Sequence, residues 1–226
     1  MTVTVCNTNI GALTMGFWKN KNGQGIITGQ AKTGVCPSGA YLRTFNPFDD
    51  LSATATCAQV ASYVASTLGA ATCGGTTCNP MLKAQMLATA LDVYFSPGGG
   101  GGNQIGNFNG LGNKTPDIGT VAVNLSNICS MIDSSSSSSC SGKFEDVRSE
   151  FGIAAPACQG ATVNTMLLYA DASSALNGSP VASNDGGKTW YKQIKNPNQV
   201  YAKDGFDNIN NDVAPVATGA VCTSTF

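Results

Sequence analysis

Histidine is absent from the chain. No other side chain titrates near neutrality without help, so Ser-His-Asp and Cys-His catalysis are excluded. Haem attachment through C-x-x-C-H and histidine-based zinc hydrolysis are excluded with them. Charge is scarce as well: Asp, Glu, Lys and Arg make up 11% of 226 residues, against about 25% in ordinary globular chains. The 12 Lys and Arg are scattered and the net charge is −1. Without clustered cations there is no electrostatic footprint for nucleic acid or an anionic membrane surface. No run of 18 apolar residues occurs, so no transmembrane helix is expected. Met1–Val5 has neither the basic region nor the apolar core of a signal peptide, so a secreted chain has lost a leader or is a segment of a longer protein. No Walker motif is present, because the run Gly98–Gly102 lacks the Lys-Ser/Thr that grips phosphate and magnesium.

What is present is apolar and neutral. Hydrophobic residues reach 42%, enough for one substantial core. Gly, Ser, Thr, Asn and Ala replace the missing charge and predict a neutral polar surface. Nine cysteines, Cys6, Cys36, Cys57, Cys73, Cys78, Cys129, Cys140, Cys158 and Cys222, are spread along the chain with no C-x-x-C. This spread favours a disulfide framework in an oxidising compartment over a metal site. The shortest loops pair Cys73 with Cys78 and Cys129 with Cys140; the remaining connectivity is open. An odd count leaves one thiol buried and free, or paired with another chain.

Periodicity predicts a mostly helical α+β domain spanning 1–226, with about five helices and a few short strands. Residues 1–50 show little helical period, and Thr2, Val3, Thr4 and Val5 alternate as an edge strand does. Cys57, Val60, Ala61, Val64, Ala65 and Leu68 follow the i, i+3, i+4, i+7 pattern, with Gly69 as the stop. Asn79 caps a second helix with Pro80 at its first position. Its stripe of Ala84, Leu87, Ala88, Leu91 and Phe95 is so broad that only Gln85, Thr89 and Asp92 mark a polar edge, which places it mid-core. Val121, Val123 and Leu125 alternate as a strand. Phe144, Val147 and Phe151 predict a short helix stopped by Gly152; Val163, Met166, Leu167 and Ala170 another, ended at Asn177-Gly178. The last starts at Asn196-Pro197 and carries Ala202, Phe206, Ile209 and Val213 on one face. Gly98–Gly102 and Ser134–Ser139 are expected as flexible loops.

Three patterns invite functional readings. Ser183-Asn-Asp185-Gly-Gly187-Lys-Thr189-Trp190 resembles an Asp-box, but a propeller repeats it over at least four blades and this chain has one copy, so a structural turn is expected. Asp204, Asp207, Asn210 and Asp212 offer alternating oxygen donors, yet they miss the EF-hand glycine and glutamate, and an apolar helical period runs through them. Asp146 and Glu150 are four apart on the expected helix, where a carboxylate pair for glycoside hydrolysis competes with a solvated helix surface. The three N-x-S/T sequons, at Asn113, Asn124 and Asn177, are what chance supplies in this composition. Phe17 and Trp18, in the polar segment Gly16–Asn20, either close the core or stack on a sugar ring or partner.

Several phrases in order resemble a family of secreted bacterial surface domains. Gly16-Phe17-Trp18-Lys19-Asn20 is similar to their G-[FY]-W-K-[NT] opening, and Leu82–Asp92 to their "LLAAQLLAAKLN"-like helix. Trp190-Tyr191, Ala202-Lys203-Asp204 and Phe206–Asn211 are similar to their closing "WY…AK…FDAINN" helix. The resemblance implies an extracellular, cell-surface location and carries over no catalytic or binding residue.

These readings lead to a secreted structural protein of the bacterial surface, possessing no enzymatic activity, cofactor or metal, and self-assembling as a filament, pilus-like or sheath subunit. Its expected partners are itself or other surface proteins. The alternative is an adhesive or glycan-binding module using Phe17, Trp18, Trp190 and Tyr191; a carboxylate hydrolase ranks below both.

Overall fold

The computed structural model describes residues 10–74, 77–133, 139–176 and 198–223. Seven α-helices lie among the described residues: α1 Met15–Lys19, α2 Lys21–Thr28, α3 Pro37–Leu42, α4 Cys57–Gly69, α5 Asn79–Tyr94, α6 Val163–Leu176 and α7 Val200–Asn210. Six short strands form three separate antiparallel pairs. β1 (Ala122–Asn124) pairs with β6 (Gly160–Thr162), with Val123 opposite Ala161. β2 (Ile128–Cys129) pairs with β5 (Phe144–Glu145), and β3 (Ile132–Asp133) with β4 (Ser139–Cys140). The mostly helical α+β class expected from periodicity is the class observed.

Helix α5 is the axis of the molecule. It packs on α1, α3, α4, α6 and α7, and every residue from Ala84 to Tyr94 is buried. A helix with so broad an apolar stripe and so narrow a polar edge has little to offer water, so its neighbours enclose it. Cys78, rather than Asn79, occupies its N-cap, and Pro80 falls in the first turn. Helix α4 begins with a capping box: Thr56 accepts from the Gln59 N–H while the Gln59 side chain reaches back to the Thr56 N–H.

Four disulfides join Cys36–Cys57, Cys73–Cys78, Cys129–Cys140 and Cys158–Cys222. Both short-loop pairs are as expected. The long-range pairs tie the start of α3 to the start of α4, and the approach to β6 to the chain's last described turn. Eight cysteines are thereby used, and the ninth, Cys6, lies outside the described residues.

Two expectations need correction. Residues 10–50 hold three α-helices, too short for a 3.6 period to register. The first two rest on side-chain caps instead: Thr14 accepts from the Phe17 N–H, and Asn20 ends α1 while capping α2 through the Asn22 and Gly23 N–H groups; α3 has no such cap and starts at Pro37. The helix expected over Phe144–Phe151 is divided. Phe144 belongs to β5, and only Arg148–Phe151 coils, as a 3-10 turn closed by Gly152 at φ 65°. The β2–β5 ladder takes the backbone groups a longer helix would need.

The loop at Gly98–Gly102 folds back onto the end of α5. The Gly101 N–H donates to the Tyr94 carbonyl at 2.9 Å and the Gln104 N–H to the Phe95 carbonyl at 3.0 Å. A Cβ at Gly101 would lie 2.5 Å from the Phe95 ring and 2.8 Å from that of Tyr94. Glycine there lets the backbone lie directly against the two aromatics.

Candidate ligand-binding groove

Trp18 is 0% exposed. Its ring stacks on Phe95 with centroids 5.5 Å apart, and its indole N–H donates to Asp92 Oδ1 at 3.1 Å. It therefore takes the core alternative and is removed from the surface aromatic set. Phe17 is half-buried and leans on Phe108, an aromatic that carried no sequence signal, with centroids 5.1 Å apart. Phe108 is 44% exposed. Trp190, Tyr191, the strand at Thr2–Val5, the Asp-box, the Asn177 sequon and the serine tip at 134–138 lie outside the described residues.

Phe108 stands at one side of a groove of about 660 Å³. One wall is the outer face of α2, presenting Lys21, Asn22, Gly25 and Gln30 beyond its end; the other is the loop presenting Gly100, Gln104, Asn107 and Phe108. Tyr94 and Phe95 form the floor. The volume lies within the range of small-molecule sites, about 300–1,000 Å³. Both walls are fixed from behind. Gln30 donates to the Tyr94 hydroxyl at 3.2 Å and accepts from the Ser38 N–H at 3.3 Å. Asn103 braces the loop by donating to the Gly112 carbonyl at 3.0 Å and accepting from the Gly106 N–H at 3.0 Å.

The two glycines inside α2 differ. A Cβ at Gly23 would lie 2.5 Å from the Phe17 carbonyl oxygen and 2.6 Å from the Trp18 Cα, so α1 packs only against a bare backbone. A Cβ at Gly25 would meet nothing within 4 Å. Gly25 simply keeps the wall of the groove low.

The carboxylates lie elsewhere, along a polar seam through the core. Gln85, Thr89 and Asp92 on α5 are the polar edge seen in sequence, but α7 and the N-terminal segment cover them. Gln85 Nε2 donates to Asp207 at 2.6 Å, Thr89 donates to Asn210 Oδ1 at 2.8 Å, and Asn210 Nδ2 donates to Gln85 Oε1 at 2.7 Å. Asp92 also accepts from the Leu13 N–H at 3.0 Å, and Asp212 accepts from Ile10 and Gly11. Asn208 grips the β2 backbone, accepting from the Cys129 N–H at 2.9 Å and donating to its carbonyl at 2.8 Å.

Burial pushes the Asp92 carboxyl well above the ordinary range, overriding the Leu13 and Trp18 hydrogen bonds that favour its charge. Burial likewise raises Asp204 to about 6 against the opposing Lys203 ammonium, and raises Asp207 and Asp212. A second cavity of about 400 Å³ opens where Asp207 and Asn211 meet Thr14 and Gly16. Asp207 there is already held by Gln85 and Asn211.

The expected Asp146–Glu150 face does not form. Asp146 sits outside the 3-10 turn, exposed, and clasps Arg148, whose hydrogen bond holds its carboxyl below the ordinary value. Glu150 is buried. Helix α7 runs through Asp204–Asn210, so those donors are spaced around a helix rather than along a calcium loop. Among the described residues no three His, Cys, Asp or Glu side chains converge as metal ligands. Compared with known proteins, the chain matches no family model, no curated protein and no solved structure.

Proposed function

We propose that the chain is an extracellular cell-surface module that works by non-covalent recognition, with the groove between α2 and the loop over residues 98–108 as its binding site. The observation that carries this reading is the groove itself: an exposed ring and several exposed amides over a disulfide-braced core, on walls tied down by Gln30 and Asn103. Four disulfides fit an oxidising compartment, and among the described residues no helix is long and apolar enough to cross a membrane.

The test is binding of the labelled, oxidised protein to surface material from its own cells, compared with Gly25→Leu. Leucine is a good helix former and meets open space, so the variant folds and fills the groove. Binding lost in the variant supports the reading; equal binding by both proteins defeats it.

Self-assembly is the second reading, favoured by the disulfide-pinned hairpin, where Met131 is 63% and Phe144 53% exposed. Exposed apolar side chains on one hairpin suit a contact between copies. Negative-stain electron microscopy of the oxidised protein tests it: regular fibres support a structural subunit, and dispersed particles at high concentration refute it.

A further inference from the structure

The chemistry of the groove identifies its ligand more narrowly than its position does. Lys21 is the one charged residue among those lining it. A groove built for an anionic ligand needs converging cations, and one built for a cation needs carboxylates or a closed aromatic cage. Neither arrangement is there. Instead, Asn22, Gln104 and Asn107 are all exposed on the two walls. Each primary amide offers a donor and an acceptor side by side. That is the pairing a hydroxyl wants, since a hydroxyl both gives and receives a hydrogen bond.

The aromatic component matches. Phe108 keeps 44% of its surface exposed and is backed by Phe17 at 5.1 Å. A ring held from behind presents apolar surface without losing much freedom when a ligand arrives. The C–H face of a pyranose ring is an apolar plate rimmed by hydroxyls, which is complementary to one ring between amides.

Gly25 is the independent observation. Glycine is the poorest helix former apart from proline; of the six glycines in the seven α-helices, Gly16 and Gly69 lie in a first or last turn, and three of the four others are explained by contact. Gly23 meets backbone, Gly39 meets Val60 and Gly205 meets the Phe151 ring. Gly25 has no such neighbour and no positive φ. Packing gives no reason for it, whereas a ligand lying against the α2 backbone does.

We propose that the groove is a binding site for neutral carbohydrate, a short stretch of uncharged pyranose units stacked on Phe108 and hydrogen-bonded by Asn22, Gln104 and Asn107. This assignment rests on the groove being the binding site, and its test separates the two. The oxidised protein is titrated with neutral oligosaccharides (gluco-, manno-, galacto- and chito-tetraoses), and separately with sulfated and uronic-acid oligosaccharides, following ¹H–¹⁵N shifts. In parallel, binding to its own surface material is measured before and after periodate, which cleaves vicinal diols, and in 0.5 M NaCl.

The expected result is shifts at Gly25, Gln104 and Phe108 with a neutral oligosaccharide, weakened at least tenfold by Gly25→Leu. Phe108→Leu, which keeps apolar bulk but loses the ring, weakens binding roughly 2- to 12-fold, the range of an aromatic contact. Binding to surface material falls after periodate and persists in salt. Groove shifts with the charged set alone, Gly25-sensitive binding that survives periodate with no groove shifts from any neutral oligosaccharide, or Gly25-sensitive binding abolished by salt, overturn the carbohydrate class and leave the groove standing. Binding indifferent to Gly25→Leu, with no groove shifts in either set, overturns both.

Discussion

Asp92 and Trp18 are 74 residues apart in sequence, yet the Asp92 carboxylate accepts the Trp18 indole N–H at 3.1 Å in a fully buried site. The same oxygen accepts the Leu13 N–H at 3.0 Å. One side chain of the central helix thus fixes the chain's first described segment and α1. Replacing Asp92 by Ala strands both donors and opens a small void, for a loss of about 2–4 kcal/mol. Asp92→Asn keeps an acceptor without a charge and should unfold within about 1 kcal/mol of wild type. Chemical denaturation of the two variants checks the difference.

Acidification should stabilise the fold. Asp92, Asp204, Asp207 and Asp212 all have raised pKa values in the folded chain. A group of this kind binds its proton more tightly folded than unfolded. Its contribution is fully present below the unfolded carboxylate value, about 3.9, and is lost as pH rises through the folded value. For Asp204 that loss centres on about 6 and is on the order of 2–3 kcal/mol. Thermal melts should therefore give a higher Tm at pH 5 than at pH 8, by several degrees. Asp92→Asn should flatten part of the profile.

The two glycines of α2 should respond with opposite signs. Gly25→Ala exchanges glycine for the best helix former in open space and should stabilise by about 0.5–1 kcal/mol. Gly23→Ala drives a methyl into the α1 backbone and should destabilise by about 2 kcal/mol or more. Parallel melts of the two proteins decide it.

The disulfides should differ in worth with the loop each closes. Cys158–Cys222 spans 64 residues and Cys73–Cys78 spans 5. Chain-entropy reasoning assigns about 4 kcal/mol to the first and about 2 kcal/mol to the second. Paired Cys→Ser variants measured by denaturation should keep that order.

Asn208 should control the hairpin separately from the core. It makes both hydrogen bonds to the Cys129 backbone from a buried position. Asn208→Leu leaves those backbone groups unpaired, costs about 2–3 kcal/mol, and should speed amide exchange in β2 and β5 more than in α4. Uniform acceleration across the molecule would contradict that local role.

The elements readable in sequence were those governed by neighbours along the chain. Helix α4 announced itself through Val60, Ala61, Val64 and Leu68, α5 through its broad apolar stripe, and the two short disulfide loops through spacing alone. Helices α1 to α3 escaped because a helix of five to eight residues is too short for periodicity. The 144–151 segment misled because Phe144, Val147 and Phe151 satisfy a helical period that β2 overrides by pairing with Phe144–Glu145. The groove was least accessible. Gly25, Gln104 and Phe108 are separated by up to 83 residues and share no motif.

By itself the sequence determined composition-level properties and local order: the exclusion of histidine chemistry, a cysteine framework and a central helix with a broad apolar stripe and a narrow polar edge. These follow from side-chain pKa, charge and hydrophobic period, which need no knowledge of what lies across the fold. Tertiary structure alone decided that the polar edge Gln85–Thr89–Asp92 faces α7 and the N-terminal segment rather than water. It alone buried Trp18 and left Phe108 outside. Those outcomes depend on which surfaces meet, and burial is a property of the pair in contact, not of either residue alone.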